Sequence, residues 1–370
     1  MDQVQFFTSM NEKPSKFAGI KEIARALDVS IGTVDRALHA RSGVSRSTRD
    51  RVLKMAEQLN YRPNVAARNL KLNHRLRVGV FLPEQIALFY DLVRGGIRAA
   101  CAAERGVGVD LVFHSYPRLG EGAPEALEQA DWQQFDGIIF APGNSVELGP
   151  IFCKLEGQHK PVIFVTTDAA RLPHLALITT DETASGGIAA ELLGRVIFSP
   201  AKVATITGDL RIQGHAEKLR GFAAALATLS PHLSLLPAIE AHESPADAYN
   251  AAMDLIQKNP GLGGLYVSTA NSLPVLHAIE KKGCLGKVFV ITTDLFPELV
   301  PFIESGTVLA SLYQRPFAQG KTALEMLIRF LTTRVAPQQT TRLAPHIVLR
   351  SNLGLFINLI YNDDLNSLSI

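Results

Sequence analysis

The sequence predicts an all-α helix-turn-helix head followed by an α/β body of two doubly wound, parallel-sheet lobes. Three observations point there. Apolar residues between positions 20 and 59 recur at helical spacing in three short runs. From Arg77 onward, short apolar runs alternate with helical patterns. Charge divides at the same place: residues 1–76 hold 14 Lys plus Arg against 7 Asp plus Glu, and the remainder holds 23 against 28. A net charge of +2 thus hides a basic head on an acidic body.

In the head, Ile20, Ile23, Ala24 and Leu27 form one apolar helical stripe. Asp28-Val29-Ser30 breaks it, with Val29 as an apolar plug and Ser30 as N-cap of the next helix. There Val34, Ala37 and Leu38 face inward, leaving Ile31, Gly32, Asp35, Arg36 and His39 outward. A recognition helix presents its N-terminal residues to base edges, so Ile31, Gly32 and Arg36 are candidate readers. A third helix begins at Ser45, with Val52, Met55, Ala56 and Leu59 as its apolar face. Pro63 ends that run, and residues 65–71 can restart as a helix too short to be stable alone in water. Three ordinary amphipathic helices would show the same stripes; the basic charge is what favours phosphate contact.

In the body, strands are expected at RVGVFL, VDLVFHSY, DGIIFAPG, PVIFVTTD, ALITTD, KVATITGD, LGGLYVST, KVFVITTD and VLASLYQ. That is too many for one sheet, hence two lobes. Ligands of such sheets bind beyond the carboxyl ends of the strands. The residues there are Gln85, Phe89, Tyr90, Asn144, Asp168, His215, Lys218, Asn271, Asp294 and Gln314. Each alone could be a helix cap or loop group. Together, amides and carboxylates with flanking aromatics suit a hydroxylated ligand, whose hydroxyls both donate and accept and whose C–H face packs on rings.

Other functions find little support. Cys101, Cys153 and Cys284 have neither metal nor disulfide spacing. No apolar run is long enough to span a bilayer, and the first residues lack the pattern of a secretory signal. There is no G-x-x-x-x-G-K-[ST], G-x-S-x-G or H-E-x-x-H. No cofactor is expected, and a cytoplasmic setting is.

SIGTVDRALH, GVSRSTRDRV and LNYRPNVAARNL resemble, in order and spacing, the N-terminal module of the lac repressor/galactose repressor family. The resemblance implies DNA contact by Ser30, Ile31, Gly32, Thr33, Arg36, His39, Ser45 and Arg46. It implies hinge contact by Asn64, Ala67, Leu70 and Lys71, with Leu70 as an apolar wedge in the minor groove. Two departures concern the operator sequence. Asp35 stands where Ser is common, and Gly32 replaces a larger polar residue. Asp35 would accept from a cytosine amine or pair with Arg36 or another nearby Arg.

The body resembles the periplasmic sugar-binding fold that this family carries, closest to its ribose-binding branch. DETASGGIAAELL, HAEKLRGF, TANS, ITTDLF and LYQRP carry the likeness, which implies sugar contact by Asn271, Asp294 and Gln314, with Phe89 and Tyr90 as the paired aromatics. Ile86-Ala87-Leu88 replaces a usual Asn-Pro, and Ser272 a frequent Asp.

The expected organisation is a disordered tail (1–17), the helix-turn-helix domain (18–62) and a hinge helix with linker (63–75). A two-lobed effector and dimerisation domain follows (76–355), then a C-terminal tail (356–370). Lobe 1 would hold 76–168 and 315–340, and lobe 2 169–314 and 341–355. The implied protein is a transcription regulator, by family default a repressor, acting as a homodimer or tetramer on pseudo-palindromic operator DNA under a small polar effector. A soluble sensor acting through a protein partner and a sugar-acting enzyme are the alternatives.

Overall fold

The computed structural model describes residues 19–38, 41–59, 75–143, 145–169 and 171–361. The expected tail at 1–17, His39, the hinge candidates Asn64, Ala67, Leu70 and Lys71, and Asn144 lie outside these residues. The chain forms two compact units, divided near residue 73.

The head consists of α1 (Ile20–Leu27), α2 (Ile31–Leu38) and α3 (Arg46–Gln58). Its core is Ile23, Ala24, Val34, Ala37, Val52 and Ala56, with Val29, Met55 and Leu59 packed against it. These are the residues that helical spacing placed inward. Ser30 caps α2, its hydroxyl accepting from the Thr33 amide at 3.0 Å. Ser45 caps α3 in the same way through Thr48. Between α1 and α2 the chain turns through Asp28 in the left-handed region.

The body opens with β1 (Leu76–Pro83), α4 (Ala87–Ala103), β2 (Val109–Tyr116), α5 (Ala123–Gln129), β3 (Gly137–Phe140), α6 (Ser145–Gly157), β4 (Val162–Val165) and β5 (Ala176–Thr180). It continues with α7 (Glu182–Val196), β6 (Ala201–Thr207), α8 (Gln213–Leu229), β7 (Leu233–Leu235), β8 (Ile239–Glu240), α9 (Pro245–Lys258), β9 (Leu262–Val267) and α10 (Ser272–Lys281). After β10 (Phe289–Thr293), α11 (Val300–Glu304), β11 (Val308–Tyr313) and α12 (Pro316–Thr333) come β12 (Thr340–Leu343), β13 (His346–Val348) and α13 (Gly354–Tyr361).

Two sheets result, ordered β12-β5-β4-β3-β1-β2 and β13-β11-β10-β9-β6-β7, with β8 also on β6. The strand order reverses between β1 and β3 in the first sheet and between β6 and β9 in the second, which opens a crevice at the carboxyl ends. Strand pairing is parallel except for the β11–β13 edge pair. β3, β4 and β5 are buried along their whole length, as helices on both faces require.

The lobe boundaries differ from expectation. β5 and β12 pair within the first sheet, so lobe 1 extends to Thr180 and takes in residues 341–343. The break after Asp168 reads as a lobe boundary because the polar end of β4 precedes another apolar run. The segment from Phe356 is not wholly a tail either. α13 runs to Tyr361, and Phe356 packs edge-on against Tyr313 and His346.

Candidate functional site

The carboxyl ends of both sheets converge on one cleft, lined among others by Ile86, Phe89, Tyr90, Thr167, Glu182, His215, Lys218, Glu243, Thr269, Asp294 and Gln314. Its free space is about 60 Å³, on the order of five water-sized volumes.

Lobe 1 supplies the aromatic wall. β1 ends at Pro83, and Ile86 turns the chain into α4 with φ +60°. A β-branched residue is strained there, and the turn brings the next helical turn, with Phe89 and Tyr90, to the cleft. Their rings meet edge to face at 5.1 Å. Tyr90 is buried, and that burial holds its phenol well above the ordinary range.

Lobe 2 supplies the charge. Asp294 follows β10 with φ +66°, a conformation an Asp tolerates, and is 3% exposed. The Gln314 side chain donates to it at 2.7 Å, and the Gln314 amide at 3.3 Å. Burial nonetheless pushes its carboxyl up to about 6. Glu182 opens α7 directly after β5, and burial pushes it up to about 7, with Lys218 pulling the other way. Lys218 Nζ lies 3.4 Å from Glu182 Oε2. Burial alone would lower the lysine, but Glu182, with Tyr266, Asp294 and Glu243 behind it, outweighs that and keeps it charged. Glu243 is the third buried carboxylate. Burial acts to raise it, but His215, at 2.8 Å, and the Thr269 hydroxyl hold it below its usual range. Gly208 leaves the room for that pair: a Cβ there would lie 1.9 Å from Glu243 Oε1.

Two glycine crossings fix these groups. A Cβ on Gly186 would lie 1.9 Å from the Lys218 carbonyl, and one on Gly221 2.0 Å from that of Thr183. α7 and α8 therefore touch backbone to backbone next to Glu182 and Lys218.

Of the sequence-derived candidates, Phe89, Tyr90, His215, Lys218, Asp294 and Gln314 line the cleft together. Gln85, Asp168 and Asn271 do not. The Gln85 side-chain amide donates to the Glu243 carbonyl across the lobes. Asn271 donates to Glu243 Oε2 at 3.3 Å, so it braces a lining residue. Asp168 is half-buried beside the cleft, with Oδ1 lacking a hydrogen-bond partner. Glu182 and Glu243 went unread in the sequence. Asp181 caps α7 and masks Glu182 as part of a helix start. Glu243 follows a two-residue strand whose pattern carries no signal. Among the described residues, no group of three His, Cys, Asp or Glu is placed to hold a metal, and no helix is long and apolar enough to cross a membrane.

In the head, Ile31, Gly32, Arg36, Ser45 and Arg46 are exposed and Thr33 is partly so. The Thr33 hydroxyl shares a 2.8 Å hydrogen bond with that of Ser30. Asp35 pairs with Arg41 at 3.1 Å, the second of the two roles open to it.

The profile of the periplasmic binding protein domain matches residues 78–334. That of the bacterial regulatory proteins of the lacI family matches residues 19–64. The chain belongs to the periplasmic binding protein domain family through its body and carries a lacI-family regulatory domain as its head. It is 24% identical over 341 residues to catabolite control protein A of Priestia megaterium, covering 90% of this chain and 98% of that protein. It is 22% identical over 341 residues to the HTH-type transcriptional repressor PurR of Vibrio campbellii, covering 91% and 98%. Solved structures share the body's fold. One is a solute-binding protein from Agrobacterium vitis bound with α-D-tagatopyranose, at TM-score 0.71 and 21% identity, covering 78% of this chain and all of that one. Another is GanP, a glucose-galactose binding protein from Geobacillus stearothermophilus, at 0.68 and 24%, covering 75% and 99%.

Proposed function

We propose that this lacI-family regulator is a cytoplasmic homodimeric repressor whose affinity for a pseudo-palindromic operator is set by a small hydroxylated ligand held in the cleft. The carrying observation is the cleft itself: three buried carboxylates and the Gln314 amide with two aromatic rings, at the carboxyl ends of both sheets. Carboxylates accept from hydroxyls and rings cover C–H faces, the pairing a polyol needs. Repression follows the printed role of the PurR relatives. Ser30, Ile31, Gly32, Thr33, Arg36, Ser45 and Arg46 contact the duplex in this reading. Gln314, Asp294, His215, Lys218, Phe89 and Tyr90 contact the effector.

The lobes are joined by three crossovers, and two of them are tied together. The Thr180 hydroxyl donates to the Gln314 carbonyl at 2.7 Å, and Gln319 donates to both, at 3.1 and 2.8 Å. A ligand that pulls on Gln314 therefore acts where the lobes pivot. Linkage requires that operator DNA alter effector affinity by the same factor.

Two measurements test this reading. Operator binding should fall steeply with salt, with a log–log slope near −0.9 per phosphate neutralised; a flat response would remove DNA as the partner. Calorimetry across pentoses, hexoses and polyols should find a binder, and silence from the whole panel would point to a protein partner instead.

A further inference from the structure

The cleft is short of positive charge. Three buried carboxylates, Glu182, Glu243 and Asp294, face it, and the lining residues include one lysine, one histidine and no arginine. Lys218 faces Glu182 at 3.4 Å, and His215 lies 2.8 Å from Glu243. Asp294 has no cation of its own, and its side-chain partner is the neutral amide of Gln314. The Lys218–Glu182 contact at 3.4 Å is too long to satisfy Glu182 Oε2, which has no hydrogen-bond donor. The Thr167 hydroxyl, 5% exposed and also lining the cleft, has no partner either.

We propose, building on the ligand reading above, that the effector is an amine-bearing sugar or polyol whose ammonium group lies among Glu182 and Asp294. An ammonium offers three donors and no acceptor, which matches the donorless Oε2 of Glu182 and the negative charge of Asp294. A neutral hydroxyl would satisfy one acceptor while leaving the excess negative charge in place. A phosphate or carboxylate ester would meet like charge in a desolvated site, with one lysine set against three carboxylates. Burial is what chiefly holds Asp294 and Glu182 above the ordinary carboxylate range, and neighbouring negative charge adds to it, Asp294 acting on Glu182 and Glu243 on Asp294. A cation arriving there favours ionised carboxylates, so binding near pH 7 releases protons.

The test uses the full chain and matched sets: glucose, glucosamine and glucose 6-phosphate, then the galactose and mannose sets, and glucitol against N-methylglucamine. Titration calorimetry is run in two buffers of different ionisation heat. The amine member of the binding set should be tighter than its neutral partner by about tenfold or more, and should release protons at pH 7. Glu182→Gln and Asp294→Asn should each shrink the amine-to-neutral ratio. A neutral or phosphorylated member that binds as tightly as the amine overturns the proposal while leaving a hydroxylated effector in place. Silence from every set, while operator binding persists, overturns the effector reading and this proposal with it.

Discussion

Gln314 holds the Asp294 carboxylate with both its side-chain amide, at 2.7 Å, and its backbone amide, at 3.3 Å. Asp294 ends a strand of lobe 2, and Gln314 is the last residue before the chain crosses to lobe 1. The proposed ligand contact and the lobe crossover are thus one hydrogen bond apart.

Asp294→Asn keeps the shape of this contact and removes the charge. Hydrogen bonds to charged groups contribute about 1.5–3 kcal/mol each, so effector affinity should fall roughly 10- to 100-fold. Calorimetry reads that loss, and operator affinity without effector should stay within about twofold. An unchanged effector affinity would place the ligand elsewhere.

Glu182 at about 7 and Asp294 at about 6 hold protons more tightly when folded than when unfolded, where they titrate near 4.5 and 3.8. Their contribution to stability is therefore lost as pH rises from about 4 to about 7. His114 and His346, held low by burial, act in the opposite sense below about pH 6.5. Glu243, held low, loses its contribution only as pH falls through the ordinary carboxylate range and below. Comparing Glu182→Gln with the parent isolates the first effect. Denaturant melts between pH 5 and 7.5 should show the parent losing more stability on alkalinisation than the variant; parallel curves would contradict the raised carboxylate.

The glycines of α7 give a paired test. Gly186→Ala drives a Cβ to 1.9 Å from the Lys218 carbonyl and should cost about 2–3 kcal/mol, with weaker effector binding as Glu182 and Lys218 part. At Gly187 the nearest atom to a Cβ is 3.8 Å away. Gly187→Ala should be neutral or stabilising by up to about 1 kcal/mol. Equal effects in thermal melts would show that the crossing is looser than described.

Arg41 and Asp35 form an exposed pair, with side chains 63% and 36% exposed. Such pairs contribute about 0.2–1 kcal/mol, so Arg41→Ala should barely alter stability. Operator affinity should drop about tenfold, because the Asp35 carboxylate would then face phosphates without the offsetting charge of Arg41. Asp35→Ala in the Arg41→Ala background should recover most of it. If Asp35→Ala alone relaxes base preference at one operator position, Asp35 reads cytosine despite the pair.

Much of this architecture is legible from residue spacing. The head's inward residues follow from helical periodicity because three short helices have only one way to share a core. The strand-end rule found Asp294, Gln314, His215, Lys218, Phe89 and Tyr90, since a parallel strand's apolar run marks its own carboxyl end. It missed Glu243 because β8 is only Ile239–Glu240. It missed Glu182 because Asp181 already explained the polar residues there. The lobe boundary slipped because sheet membership of β5 and β12 depends on pairing between distant segments, which periodicity does not report. The left-handed turns at Ile86 and Asp294 carry no glycine to announce them.

The central claim is that occupancy of the cleft sets operator affinity. Operator binding by fluorescence anisotropy, with and without the calorimetrically identified ligand, in the parent chain and in Asp294→Asn, tests it most directly. A ligand-dependent shift of roughly 5- to 150-fold is expected in the parent, nearly abolished in the variant at the same ligand concentration. Equal operator affinity in the parent with its cleft filled and empty would contradict it.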